Sequence, residues 1–398
     1  MKTNTNPQKI KEVLERKTEE VLPNREGLKR LMQKRKIRLY LGIDPTGARL
    51  HLGHTITLRK LQEFADLGHE SILVIGTGTV LAGDPSQREK TRSRISTKEI
   101  EENMKSWKRQ ARKILNFSKV KIKYNGEWLL KLRLSEIVDI ASHISAVKLF
   151  QREMFQERLK RGDTVWMHET LYPLLQGYDS VAMNVDLEIG GTDQVFNMLI
   201  GRELQQKMNK KEKFVLTCPM ILGIDGRPMS KTSGNCVWID DPADQMFGKI
   251  MSISDGLILS YFELLTNVSP QTIKNYKKNL SSKKGNPMKI KKELARKIVE
   301  LYHSKKGAEA AEKEFGKVFK EKGLPSRMPR VKIGEKELNI LDLLVKTKLA
   351  SSKSVAKRLV LQGGIKLAGI IKKDWKETVK IKKGLVVQVG KRKFARLA

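Results

Sequence analysis

Apolar and polar positions along the first half of the chain change period repeatedly, and the changes predict strands and helices in turn. Arg38-Leu-Tyr-Leu-Gly-Ile43 is a short apolar run that reads as a strand, while Leu52, Ile56, Leu58, Leu61 and Phe64 recur at helical spacing beyond it. A turn-prone Asp44-Pro45-Thr46-Gly47 lies between them. A second, almost wholly apolar strand follows at Ser71 to Ile75. Strand, helix and strand at this spacing make a βαβ unit, with the strands parallel in one sheet. Ahead of it, residues 8 to 34 read as helical, with Ile10, Val13 and Leu14 on one side and Leu28, Leu31 and Met32 after a break at Pro23.

Behind the unit come a charged helical stretch from about Arg88 to Asn116, a short strand at Val120 to Tyr124, and helices from Leu134 to Arg161. In those helices Ile137, Ile140, Ile144, Val147, Leu149, Met154, Phe155 and Leu159 read as core. Asp186-Leu-Glu-Ile-Gly-Gly-Thr-Asp193-Gln194 repeats the order of strand, glycines and acid, which predicts a second βαβ half. Lys213 to Thr217 leads into Cys218 to Ile224, read as a further strand. After Pro242 the pattern becomes helical without strands to about Phe319, then breaks at Lys322-Gly-Leu-Pro-Ser-Arg-Met-Pro329. Two short helices and a few strands close the chain. The fold class is α/β with a parallel sheet, then a helical domain and a small α+β domain. The expected boundaries are a helical segment at 1–34, a sheet domain at 35–238 with a helical insertion at about 105–185, a helical domain at 239–330 and the α+β domain at 338–398.

Composition adds a partner class. The 398 residues carry 79 Lys and Arg against 44 Asp and Glu, a formal charge of +35, so a polyanion such as nucleic acid is the expected partner. Cys218 and Cys236 are the only cysteines, too few for a disulfide framework and not spaced as a zinc site. The first residues lack the apolar core of a signal peptide, and the most apolar stretch, from Ser71 to Leu81, is too short to span a bilayer. A cytoplasmic location without membrane contact is the expectation.

The candidate chemistry gathers where strands end in glycine. The junction Tyr40 to His54 ends a strand and begins a helix, whose first N–H groups favour a phosphate, with two imidazoles one turn apart. Tyr172, Gln176 and Asp179 fall at i, i+4 and i+7, on one helical face. Asp225-Gly-Arg-Pro-Met-Ser-Lys231-Thr-Ser-Gly-Asn235 is a glycine-bearing loop with a lysine flanked by hydroxyls, suited to close over phosphates.

Together these segments resemble the bacterial tyrosyl-tRNA synthetases, of the class I aminoacyl-tRNA synthetase family, over nearly the whole chain. His51-Leu-Gly-His54 resembles the H-I-G-H signature and Met229-Ser230-Lys231-Thr232 the K-M-S-K-S loop. Tyr40-x-Gly-x-Asp-Pro-Thr46, Gly83-Asp84-Pro-Ser, Tyr172-Pro-Leu-Leu-Gln176-Gly-Tyr-Asp179 and Gly190-Gly-Thr-Asp193-Gln194 narrow the class to tyrosine. The resemblance implies a Rossmann-like catalytic domain, activation of L-tyrosine by ATP with Mg²⁺ to tyrosyl-adenylate, and transfer to tRNA(Tyr) by a homodimer. It implies that Tyr40 and Asp179 meet the phenol, and that Asp84, Tyr172 and Gln176 surround the ammonium group. Thr46, His51, His54 and Lys231 would carry catalysis, with Arg88 and Arg92 assisting at pyrophosphate. Gly42, Asp44, Gly53, Gly191, Asp193, Gln194, Met229, Ser230, Lys231 and Thr232 would bind ATP. No resident metal is expected, since two histidines without a third ligand make a poor zinc site. Ser351 to Ile365 resembles an S4-type RNA-binding module, which would put Lys353, Lys357 and Arg358 on phosphates.

The chain departs from the family at Pro228, where the first signature lysine would stand, with Arg227 one position earlier as a possible substitute. Leu41 and Val195-Phe196 differ as well. Pro228 motivates the competing expectation, a non-catalytic RNA-binding protein that kept the fold. Tryptophan is the neighbouring substrate, opposed by the Tyr40 and Asp179 pair.

Overall fold

The computed structural model describes residues 3–83, 96–231, 233–282, 285–319, 328–390 and 393–398. The chain forms two compact units, Met1–Asp241 with Ser252–Tyr302, and Pro242–Met251 with His303–Ala398.

The first unit opens with helix α1 (Pro7–Glu15), started by Pro7 and by the Asn6 side chain, which accepts from the Gln8 and Lys9 amides. Its far end is held by a lysine. Lys60 is fully buried and donates to the Val13 and Arg16 carbonyls, both at 2.5 Å, with Glu63 2.9 Å away. A cation there meets carbonyls that the helix leaves unpaired. Strand β1 (Glu20–Leu22) and helix α2 (Arg25–Lys34) follow, and Asn24 caps the second helix through the Gly27 amide. The helical reading of 8–34 thus holds except at β1. This three-residue strand pairs antiparallel at the sheet edge and buries only Val21, too little for a period-two pattern.

The sheet continues with β2 (Arg38–Ile43), β3 (Glu70–Ile75), β4 (Val120–Tyr124), β5 (Leu187–Gly191) and β6 (Phe214–Cys218), in the order β1-β6-β5-β2-β3-β4. All pairs except β1 with β6 are parallel. The sixth strand lies earlier than the expected Cys218 to Ile224, because Pro219 has no N–H to add to the ladder. Helix α3 (Leu52–Asp66) crosses from β2 to β3, burying Leu52, Ile56, Leu58, Leu61 and Phe64 as the spacing predicted.

After β3 come α4 (Thr79–Ala82) and α5 (Thr97–Ala111), and after β4 come α6 (Gly126–Leu129), α7 (Leu134–Ser142), α8 (Ala146–Phe150), α9 (Glu153–Lys160) and α10 (Met167–Met183). Ile140, Ile144, Leu149 and Phe155 are buried, but Ile137, Val147 and Leu159 are 37%, 67% and 48% exposed, so the apolar pattern there is only partly core. Helix α11 (Val195–Asn209) packs on α10 with bare backbones in contact. A Cβ on Gly177 would lie 3.1 Å from the Gly201 nitrogen, and one on Gly201 would lie 2.6 Å from Lys213 Nζ. The unit ends in helices Ile258–Leu265, Pro270–Ser281 and Pro287–Tyr302.

In the second unit, helices Ala243–Met251 and Lys305–Phe319 accompany a small α+β module. The module buries Ile340, Leu343, Leu344, Ala356, Val360, Ile365 and Val387 beneath two short helices and a five-stranded sheet. Between Ala243 and Phe319 the described residues are helical without strands, as the sequence predicted.

Candidate active site

The chain leaves β2 toward β3 and β4 on one side and returns through β5 and β6 on the other. Carboxyl ends of neighbouring strands therefore part between β2 and β5, where open parallel sheets bind ligands. A cavity of about 920 Å³ opens there. Its lining includes Gly42, Asp44, Thr46, His51, Gly53, His54, Tyr172, Gln176, Asp179, Gly191, Asp193, Gln194, Met229, Ser230 and Lys231. Motifs spread over some 190 residues thus meet in one place.

At one end, the start of α3 carries two imidazoles in contact, with centroids 3.8 Å apart and planes tilted by 48°. The His51 amide donates to His54 Nδ1 at 3.2 Å, so the neutral His54 ring carries its proton on Nε2. Burial lowers the His51 pKa to about 3, with the nearby Lys231 charge adding to the effect. Burial pushes His54 well below its usual value, helped by His51 and Lys231. Both rings are neutral donors at working pH. Lys231 Nζ stands 3.5 Å from Thr46 Oγ1 and 5.6 Å from the centroid of Trp107, over whose face a cation is attracted. Trp107 itself donates its indole N–H to the Gly47 carbonyl.

The loop bearing Lys231 is braced by Asn235, which is 2% exposed. Its Oδ1 accepts from the Ser230 amide at 2.9 Å and Ser233 Oγ at 2.7 Å, and its Nδ2 donates to Asp225 Oδ1 at 2.8 Å and the Pro228 carbonyl at 3.0 Å. Asn235 and the Arg227 amide hold the Asp225 pKa down to about 2. Pro228 bridges antiparallel to Leu222. Arg227 pairs with Asp225 at 2.8 Å, so its charge is directed along the loop.

At the other end, Tyr172 donates to Asp44 Oδ2 at 3.1 Å, and Thr79 donates to Asp44 Oδ1 at 2.7 Å. Gly76 makes room for this carboxylate, since a Cβ there would sit 1.8 Å from Asp44 Oδ1. Asp179 accepts from Trp128 Nε1 at 2.8 Å and Asn125 Nδ2 at 3.1 Å. Burial raises its pKa well above the usual carboxyl value in spite of those donors. Gln176 donates to Glu188 Oε1 at 3.0 Å and accepts from Asn197 Nδ2 at 3.0 Å. Tyr40 is fully buried and is not among the residues lining the cavity. Its ring packs with Ile72, Val74, Met183 and Val185, and its hydroxyl is 3.0 Å from Ser180 Oγ.

Gln194 donates to Asp193 Oδ2 at 3.1 Å in the turn that opens α11. Asp84, Arg88, Arg92 and Thr232 lie outside the described residues. In the second unit Lys353, Lys357 and Arg358 are exposed on helix Lys353–Leu361. Lys353 pairs with Asp342 at 2.6 Å, and Lys357 stands 4.0 Å over the Trp375 ring. The sequence reading did not single out Glu188, Lys213, Asn125, Trp128, Trp107 or Asn235. The one available signal was a lone acid, Glu188, inside an otherwise apolar strand. No group of metal-binding residues is present among the described residues, and no described helix is long and apolar enough to cross a membrane.

A model of class I tRNA synthetases (W and Y) matches residues 32–320, and one of the tyrosine–tRNA ligase SYY-like C-terminal domain matches residues 320–397. The chain is 42% identical to the tyrosine–tRNA ligase of Thermotoga maritima, over 98% of each chain. It is 40% identical to that of Francisella tularensis, over 97% of each. Its fold is similar to a C-terminally truncated mitochondrial tyrosyl-tRNA synthetase of Aspergillus nidulans, with a TM-score of 0.66, 20% identity, and coverage of 80% of this chain and 95% of that one. The Archaeoglobus fulgidus tyrosyl-tRNA synthetase complexed with L-tyrosine aligns with a TM-score of 0.62 at 20% identity, over 77% of this chain and 100% of that one. A parallel sheet with both signature segments at its switch point is that of a class I aminoacyl-tRNA synthetase. Within that class, the chain belongs to the tyrosine–tRNA ligase family.

Proposed function

We propose that this cavity activates L-tyrosine with ATP, as its Mg²⁺ complex, and passes the tyrosyl group to tRNA(Tyr). The observation that carries the reading is one cavity with buried acceptors at one end and neutral donors beside a lysine at the other. Asp179 accepts from the phenol hydroxyl, and Tyr40 braces that end from beneath through Ser180. Asp44, Tyr172 and Gln176 face the ammonium group, with Asp84 assigned to the same group by motif. A site built to hydrogen-bond a hydroxyl leaves its own groups unpaired when phenylalanine enters, which supplies the discrimination.

The tyrosine carboxylate attacks the α-phosphorus, and pyrophosphate leaves. No protein nucleophile is needed. Thr46, His51 and the Nε2–H of His54 donate to the phosphates, and Lys231 supplies a cation as charge moves onto the leaving group. Gly42, Gly53 and Gly191 let the nucleotide approach the backbone, Asp193 and Gln194 take the ribose, and Met229, Ser230 and Thr232 complete the loop. Lys353, Lys357 and Arg358 meet tRNA phosphates. The enzyme works in the cytoplasm as a homodimer. Support for the dimer is the exposed apolar set Leu130, Leu134, Val138, Val147, Trp166 and Met167 on the helices between the sheet halves. Solution mass tests it, with a monomer refuting it. Tyrosine-dependent ATP–pyrophosphate exchange, with phenylalanine and tryptophan as controls and then tRNA charging, tests the whole. Folded protein without exchange would refute it.

A further inference from the structure

Beneath the tyrosine end lies a buried ion pair, Glu188 with Lys213, that the reaction scheme above does not use. Glu188 lines the cavity yet is 1% exposed, and β5 places it beside Tyr40 of β2. One carboxylate oxygen accepts from Gln176 Nε2 at 3.0 Å, and the other is held by Lys213, itself fully buried. Lys213 also donates to Ser180 Oγ at 2.9 Å. The bare backbone of Gly201 makes the space for that ammonium group, since a Cβ there would lie 2.6 Å from Lys213 Nζ.

A glutamine carboxamide is nearly symmetric in shape, so its neighbours choose which end is oxygen. A carboxylate only accepts hydrogen bonds, so Glu188 requires the NH₂ of Gln176. On the other side, Asn197 presents an N–H at 3.0 Å, its own orientation set because the same Nδ2 donates to Gln194 Oε1 at 3.0 Å while Gln194 Nε2 donates to the Asp193 carboxylate at 3.1 Å, so the Gln176 oxygen is required there. Both neighbours select one orientation. The carboxamide oxygen, with a second lone pair, then faces away from Glu188 as an acceptor for a cation. A flipped amide would turn N–H groups toward that cation and repel it.

We propose that Glu188, fixed by Lys213, is a positioning residue for tyrosine recognition, which locks the Gln176 oxygen toward the substrate's ammonium group. The inference rests on the placement of that group at Gln176 proposed above. It predicts a defect confined to ligands that carry an ammonium group. A Glu188→Gln variant of the full chain offers Gln176 either a donor or an acceptor and frees it to flip. In ATP–pyrophosphate exchange its KM for tyrosine should rise roughly ten- to a hundredfold, the effect of one hydrogen bond to a charged group, with kcat within about twofold. Inhibition by tyrosinol, which keeps the ammonium group, should weaken by the same factor. Inhibition by 3-(4-hydroxyphenyl)propan-1-ol, which lacks it, should be unchanged. Because Glu188→Gln leaves Lys213 buried without its partner, the double variant Glu188→Gln with Lys213→Met is measured in parallel, so the result does not depend on that lone cation. Equal weakening of both inhibitors in the folded variants, or of neither, would overturn the inference. Gln176→Ala separates the two premises: selective loss of tyrosinol there, without selective loss in the Glu188 variants, refutes the positioning role of Glu188. Equal loss of both inhibitors in Gln176→Ala refutes the placement of the ammonium group instead.

Discussion

Acidification from pH 7.5 to 5.5 should weaken the fold through the His51 and His54 pair, by an amount that follows from their burial. In the unfolded chain an imidazole titrates near 6.5. In the folded chain His51 takes up its proton only near a pH of about 3, and His54 well below 6.5. Between these values the unfolded state binds more protons than the folded one, so stability rises with pH and is lost as pH falls through 6.5. Over the interval from 7.5 to 5.5 an imidazole that stays unprotonated in the fold contributes on the order of 1 kcal/mol to that loss, which His51 supplies, and His54 adds to it in the same direction. Urea unfolding of the parent and of a His51→Asn, His54→Asn double variant, each at both pH values, isolates the pair. Other titrating groups are common to both proteins. The double variant should be the less stable protein at pH 7.5, yet lose less on acidification, by at least about 1 kcal/mol. Equal losses would refute the assignment of two neutral, buried imidazoles. The same neutrality predicts that ATP–pyrophosphate exchange has no inflection near pH 6.5 from these rings.

Three further outcomes are expected. Asp179→Ala should abolish tyrosine activation, and an unchanged KM and kcat would misplace the phenol site. Gly76→Ala drives a methyl group into Asp44 Oδ1 at 1.8 Å, so it should cost about 1–3 kcal/mol in stability and raise the KM for tyrosine by displacing the partner of Tyr172. Wild-type thermal stability and KM would show that the carboxylate sits elsewhere. Replacing Lys353, Lys357 and Arg358 together by alanine should weaken tRNA charging and flatten its salt dependence by about three phosphate contacts, while sparing exchange. Equal loss of both reactions would refute a separate RNA contact.

Much of the site was legible because its elements obey local rules. The strand at Arg38 to Ile43, the helix at Leu52, and the glycines after β2 and β5 follow from period and turn chemistry, and the helical face of Tyr172, Gln176 and Asp179 follows from spacing alone. What stayed hidden depends on three-dimensional neighbours. Glu188 and Lys213 are 25 residues apart and pair only because β5 and α11 return the chain to the same depth. Trp107 lies on a highly charged helix and reveals its place only when Lys231 arrives from another loop. Tyr40 is a mixed case. Its strand was plain from the local pattern, whereas the approach of its hydroxyl to Ser180 Oγ, 140 residues away and at 3.0 Å, was not. The missing lysine at Pro228 has a local counterpart too, for that residue bridges to Leu222 and its carbonyl accepts from Asn235.

That single carboxamide ties the charge of the loop to its shape. An Asn235→Asp substitution would remove the donors to Asp225 and to the Pro228 carbonyl, and would place a second negative charge 2.8 Å from Asp225 Oδ1. The loop carrying Lys231 would then be driven open by repulsion, with every residue that touches substrate still intact. Such a variant would lose its grip on pyrophosphate while its tyrosine pocket, built on the sheet, remained unchanged.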